Sequence, residues 1–394
     1  MQVTRAQVLA YRVAAQGLHR DVRTIDDLTV LDIGVQEAAT PSSSARLMGH
    51  PAALAFAARL PLRVNLAPGV VPVGPEHDLA LVWSLRGAPH VHRRGELDRL
   101  AAALWPLSEA DAATRLNETG PSVQKSGIPA LEQYRIAVQQ MRVAVTKPTG
   151  KGAASTAVSR KLPPVMLRDC RACTARHISD SAMRAASLPA GLELEPGTSP
   201  PVLLRRRAAK LPKRADANAL AQLARRYLAL LGPATVADVA GYFEARRADV
   251  EQAVATESAG IDGMAEVRVD GRAALIPDER LTLLREPPDP DPVRLLGPFD
   301  PYLQARDRAL LVPDKAVQKA LWPVLGRPGA VLIDGEIAGM WRTRTSRQSS
   351  RQKLTILIET FLPVPRPAWR QLDAEAERVA QVRGAADVTV AHRG

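Results

Sequence analysis

The chain has 394 residues, 46% of them hydrophobic and 24% charged, which is too long for one ordinary domain and too apolar for a disordered chain. Its net charge of +12 favours an anionic partner, nucleic acid ahead of anionic membrane, because a summed positive field attracts polyanions. Two cysteines, Cys170 and Cys173, exclude a disulfide framework and fit a reducing compartment.

The opening MQVTRAQVLAYRV has no apolar signal region, and no run of about 18 apolar residues follows. The expected location is therefore cytoplasmic and nucleoid-associated, without membrane contact. Thr4 and Gln7 form a capping box, which predicts a helix ending near Gly17. Thr24 to Asp27 mark a second helix start, running to about Gly34. Pro41 and the serines 42–44 open a third helix, through Ala57. Two strand-like runs, 79–85 and 89–93, flank Arg86-Gly87-Ala88. Three helices followed by a hairpin is the order of a winged helix, so residues 1–95 are read as a first module.

Helices are predicted at 96–104, 108–117 and 129–145, followed by a basic loop at 147–152, and 96–195 is read as a second helix-turn-helix module. Residues 196–215 carry six basic residues and no acid and are read as a basic linker. The clearest module is 216–285. A helix at 217–231 stops at Gly232-Pro233, a second is capped by Thr235, a third covers 248–257, and strands at 266–269 and 273–276 meet at an Asp-Gly turn. Four prolines in 286–292 stiffen a linker. Apolar runs at 309–312, 330–333, 336–341 and 354–361 then predict strands, closed by a helix at 366–383 and a strand at 387–391. The fold class expected is α+β: tandem winged-helix modules followed by a C-terminal β-rich, barrel-like domain over 286–394.

Three acid-free basic blocks supply candidate phosphate contacts: Lys147, Lys151, Arg160 and Lys161; Arg205, Arg206 and Arg207; and Arg342, Arg344, Arg347, Arg351 and Lys353. With aromatics at 4%, a single-strand stacking platform is disfavoured and double-stranded DNA is the expected partner, bound by a monomer. No cofactor and no metal are expected. Cys170, Cys173 and His177 come nearest to a zinc set, yet structural zinc takes four ligands, and two small thiols beside a helix-cap histidine explain them as well. A deaminase site is excluded, because its His-x-Glu partner motif is absent. His90 and His92 share a strand face, as a metal pair, a groove probe or plain polar side chains. An Asp-Pro turn accounts for Asp300.

The stretches 31–38 (LDIGVQEA), 85–90 (LRGAPH), 296–303 (LGPFDPYL) and 330–342 (AVLIDGEIAGMWR) resemble a bacterial family. It contains winged-helix DNA-binding proteins and DNA interstrand-crosslink glycosylases of the azinomycin-resistance type. The likeness runs from about residue 3 to 383. It implies three stacked winged-helix modules with a barrel-like C-terminal domain, and it supplies the middle module. Family glycosylases carry Gln-x-Gln or Gln-x-Asp early in the first module. The matching positions are Gln36-Glu37-Ala38, with Gln36 kept, a charge in the middle and no polar group at the third. The resemblance thus implies excision of alkylated purines with Gln36 and Glu37 as candidate catalytic residues. A non-catalytic DNA binder, regulator or damage shield, is the alternative, and a protein-interaction module stands third.

Overall fold

A computed structural model describes residues 1–37, 50–61, 64, 71–116, 127–258, 263–348 and 351–393. The capping box forms as expected: the Thr4 side chain accepts from the Gln7 backbone, the Gln7 side chain answers, and the helix Arg5–Ala15 follows. The two residues before it, Gln2–Val3, pair in parallel with the strand Met264–Val269, which pairs in turn with Arg272–Pro277. Val3, Val8 and Tyr11 share a small core with Val267, Ile276 and Leu284. The N-terminus is therefore built onto the hairpin near residue 270.

Residues 24–34 do not form the predicted helix. The Asp27 carboxylate accepts from the Thr24 backbone and hydroxyl, and only one 3-10 turn, Thr29–Asp32, follows. Gly34, at φ +82, then turns the chain into the strand Val35–Gln36. The third helix is Pro51–Arg59; the predicted start at Pro41 and the serines lies outside the described residues.

The strands Val35–Gln36, Pro89–Arg93, Leu79–Trp83, Leu192–Leu194, Val202–Arg205 and Thr149–Gly150 form a six-stranded antiparallel sheet in that order. The stretch read as a linker, 196–215, thus contributes a strand. Its Leu203 is fully buried, so burial of Val-Leu-Leu outweighs the basic residues that follow. Helices Leu97–Ala103, Glu109–Arg115, Ala130–Ala144, Ala217–Leu231, Val236–Phe243 and Arg247–Ser258 stand where they were predicted.

The C-terminal strands Arg294–Leu296, Gly329–Ile333, Glu336–Gln348, Arg351–Thr360 and Asp387–Arg393 form an open sheet in chain order. Among the described residues the expected barrel-like closure is absent. The helix Arg366–Val382 carries the chain back so that Asp387–Arg393 lies parallel to its neighbour, at the opposite edge from Arg294–Leu296. Helices take the place of closure: Leu372, Ala376 and Val379 share one core with Ile356, Ile358 and, from Pro51–Arg59, Leu54 and Phe56. The predicted strand 309–312 also differs: residues 309–311 form part of the helical turn Arg308–Leu311, and Val312 follows it in an extended conformation. The Arg5 guanidinium takes the carbonyls of Leu310 and Leu311, which a strand would have offered to a sheet neighbour.

Buried ion pairs bind the C-terminal half to the N-terminal helices. Arg59 meets Asp300 through two hydrogen bonds of 2.8 Å, both side chains fully buried. Arg12 meets Asp307 and Arg20 meets Glu375. Asp300 also caps the turn at Tyr302, so the expected Asp-Pro turn is present with a buried charge pair on top of it. Removing one partner of such a pair costs about 3–5 kcal/mol, since a buried charge is left uncompensated.

Candidate functional site

The turn between Leu79–Trp83 and Pro89–Arg93 places two successive residues in the left-handed region, Arg86 at φ +56 and Gly87 at φ +61. Glycine adopts that conformation freely; arginine does so at a cost, and such residues cluster at functional sites. The Arg86 guanidinium lies 4.6 Å from the centre of the Tyr242 ring. One terminal nitrogen donates to the Tyr242 carbonyl at 3.1 Å and the other to the Gln36 side-chain oxygen at 3.3 Å. Gln36 pairs across the sheet with His90, so the two side chains share a face.

His90 is buried. Burial first, then Arg86 and His92, push its pKa well below the ordinary histidine value, so the ring is neutral. Its Nδ1 lies 3.0 Å from the Ala88 carbonyl, which assigns the proton to that nitrogen. Nε2 is left as an acceptor with no hydrogen-bond partner among the described residues. His92 is pushed down to about 3 by burial and then by Arg226. Its Nε2 lies 3.0 Å from the Ser84 hydroxyl, and its ring fills the space where a Cβ on Gly34 would fall 2.1 Å from it. The histidine rings are 5.9 Å apart, but no metal-binding cluster of three groups forms around them among the described residues.

Arg86 opens onto a cleft of about 760 Å³, lined also by Trp83, Tyr134, Arg184, Phe243 and Arg306. Arg184 lies over the Trp83 ring and donates to the Gly87 carbonyl. Asp180 on the same wall is paired with Lys151 and Arg184. Beyond the cleft the positive charge continues. Burial and then Arg86 and Arg306 lower the pKa of Arg327, and burial and then Arg327 and Arg306 lower that of Arg308. The Arg342 side chain donates to Gly326, beside Arg327, at 2.6 Å. An arginine track thus runs from Arg184 through Arg86, Arg306 and Arg327 to Arg342.

Of the predicted basic residues, Lys147, Arg160, Lys161, Arg205, Arg207, Arg342 and Arg344 are exposed. The pairing of Thr149 with Leu203 brings the ends of the first two blocks, Lys147 and Arg205, to one sheet edge. Arg342, Arg344 and Lys353 share the face of their hairpin opposite Trp341 and Leu354. Lys151 is tied to Asp180 and Arg206 to Asp98. The side chains of Arg347 and Arg351 and the whole of Ala38 lie outside the described residues. Glu37 follows Gln36, and its backbone donates to the Pro89 carbonyl at 2.9 Å. Cys170, Cys173 and His177 do converge, at a hairpin tip. The Cys173 backbone and then the His177 ring bring the Cys170 thiol down to about 7, while Cys170 pushes Cys173 up.

Sequence reading missed Arg86, Arg184, Arg306, Arg308 and Arg327, because none of them falls in an acid-free basic block: three stand singly in their segments, and Arg306 and Arg308 flank Asp307. The one signal was Arg86 within LRGAPH.

The fold is mixed α+β with an arginine-lined cleft, and no described helix is long and apolar enough to cross a membrane. The model of the AlkZ-like DNA glycosylases matches residues 49–382, so the chain belongs to that family. The DNA glycosylase AlkZ of Streptomyces sahachiroi has a similar solved structure, with a TM-score of 0.69, 18% identity and 100% of each chain covered. No curated protein matches the chain. Gln36 and Glu37 precede the matched region.

Proposed function

We propose that the chain is a DNA-repair glycosylase that binds duplex DNA along the arginine track and hydrolyses the N-glycosidic bond of an alkylated purine. The observation that carries this reading is the Arg86 bridge, which ties Gln36 to the wall of the cleft. A cleft of about 760 Å³ suits a flipped nucleotide, whose extrusion costs a few kcal/mol and least at damaged bases. Leaving-group departure puts positive charge on the sugar. The Arg86-oriented carboxamide of Gln36 keeps an oxygen lone pair to place the attacking water, and the free Nε2 of neutral His90 is a second acceptor on the same face. Glu37 is the adjacent carboxylate. Lys147, Arg160, Lys161, Arg205, Arg207, Arg342, Arg344 and Lys353 hold phosphates and set register.

In this reading 1–95, 96–195 and 216–285 are winged-helix modules stacked on the duplex, 286–394 braces them, and a cytoplasmic, nucleoid-associated monomer does the work. The test is incubation of the purified chain with duplex DNA carrying an N7-alkylguanine or an interstrand crosslink. Abasic product released by the wild type and not by Gln36→Ala supports the proposal; no abasic product from any such substrate sinks it. The alanine at position 38 favours a second reading, a non-catalytic DNA binder. Strongly salt-dependent duplex binding without base release would select it.

A further inference from the structure

The hairpin Leu167–Cys170 and Ala175–Ile178 forms a two-stranded sheet apart from the other sheets. Ile178 is the one buried residue in its two strands, and Arg171 to Arg176 are all exposed. A hairpin with so little apolar burial is marginal in water, and its tip needs another restraint.

Three metal-ligating side chains meet at that tip. The sulfurs of Cys170 and Cys173 and a ring nitrogen of His177 lie within 4.8 Å of one another. Thr174, at φ +49, closes the turn. The register pairs Cys170 with Ala175 and Arg168 with His177, so Cys170 and His177 share a face. The His177 ring is already set in the manner of a ligand. Its Nδ1 lies 2.7 Å from the Ile178 carbonyl and donates to it. Nε2, shielded from solvent, has no hydrogen-bond partner among the described residues. A backbone carbonyl on one ring nitrogen, fixing the tautomer and freeing the other, is the usual support of a metal-bound histidine. The nearby carboxylates are engaged elsewhere, Asp169 with Arg176 and Asp180 with Lys151 and Arg184.

We propose that Cys170, Cys173 and His177 bind one zinc ion through two thiolates and an imidazole, with water in the fourth position. The ion clamps the hairpin. Ser179, directly after it, caps the helix Asp180–Ser187 that carries Arg184 to the cleft, so the clamp also steadies the approach to the cleft.

The experiment uses the full chain, stripped by chelator under reducing conditions and titrated with cobalt(II), then zinc. Expected are one equivalent of cobalt, a thiolate-to-cobalt charge-transfer band with intense tetrahedral ligand-field absorption, and displacement by zinc. Cys173→Ser should lose the charge-transfer band, and His177→Gln should keep part of it while binding at least roughly 10-fold more weakly. Hydrogen exchange across 167–178 should slow when zinc is added. Wild-type protein with both thiols titratable but no cobalt–thiolate band overturns the proposal, as does exchange indifferent to zinc. No readout involves base release, so this proposal and the glycosylase reading fail separately.

Discussion

Two hairpins in this chain follow three-helix patterns in the sequence, and both turn through consecutive residues in the left-handed region. At the far one the pair is Asp270-Gly271, at the near one Arg86-Gly87. Asp-Gly adopts this geometry cheaply, and the strands Met264–Val269 and Arg272–Pro277 alternate buried with exposed residues as a solvated hairpin should. The strands Leu79–Trp83 and Pro89–Arg93 are buried almost throughout, with the Val35–Gln36 strand on one side and Leu192–Leu194 on the other. There the turn carries a strained arginine whose guanidinium binds Gln36 and Tyr242. The same local pattern thus yields an exposed turn in one place and an internal brace in the other. Burial decides which: a hairpin closed in on both faces can hold a polar side chain in one geometry, and an exposed one cannot.

The sharpest way to break this contrast is at the brace. Gln36→Ala should lower single-turnover release of an alkylated purine by about 100- to 10,000-fold, the usual range for a group acting on a proton in flight, with duplex affinity little changed. Arg86→Ala should cost about 100-fold through misplacement of Gln36. Arg86→Lys should not restore the rate, because an ammonium cannot bridge two carbonyl oxygens in the fixed geometry of a guanidinium. If Arg86→Lys were as active as wild type, Arg86 would be a charge on the cleft wall and no brace.

Local chemistry made much of the far hairpin legible in advance. The Asp270-Gly271 turn, the stop at Gly232 and the capping box at Thr4 depend on neighbours a few residues away. The near site was only half legible. Gln36 stood out by resemblance, but its partner Arg86 lies 50 positions on and Tyr242 a further 156. Asp300 read as a turn residue because Arg59, 241 positions away, is invisible to local pattern. The strand Val202–Arg205 was hidden by the arginines at its end, since charge density marks a solvated segment unless an apolar run beside it finds a sheet. The expected barrel failed for the converse reason: a count of strands says nothing of the helices that cover an open sheet.

Acid should also separate the hairpins, with a smaller effect. His90 and His92 lie buried in the near one, and the far one has no histidine. Both folded pKa values are depressed, that of His92 to about 3, against roughly 6.5 in the unfolded chain. Well above about pH 6.5 neither state holds the proton and their contribution is constant. As pH falls below that value the unfolded chain takes up protons that the folded chain refuses, so stability drops towards the folded pKa. The slope approaches about 1.4 kcal/mol per pH unit for each histidine. Urea unfolding between pH 8 and 5 measures it, and a His90→Gln, His92→Gln double variant should flatten the dependence. An equal slope in that variant would remove the histidines from the account.

The smallest effect belongs to the far hairpin. Arg268 and Arg272 are exposed beside its turn, and the Arg268 guanidinium donates to the Gly271 carbonyl in its own loop. If such side chains meet phosphate, each alanine substitution should weaken duplex binding a few-fold and reduce the salt slope by about 0.9, the release of one counterion. Single-turnover release at saturating protein should stay at the wild-type rate, because a phosphate contact made equally before and during bond cleavage lowers no barrier. Gel shifts across a salt series, with rates at saturation, read both quantities on the same variants. A fall in the saturated rate comparable to that of Gln36→Ala would mean that the exposed hairpin also shapes the reacting geometry. The distinction between internal brace and exposed turn would then fail at the point where burial was held to decide it.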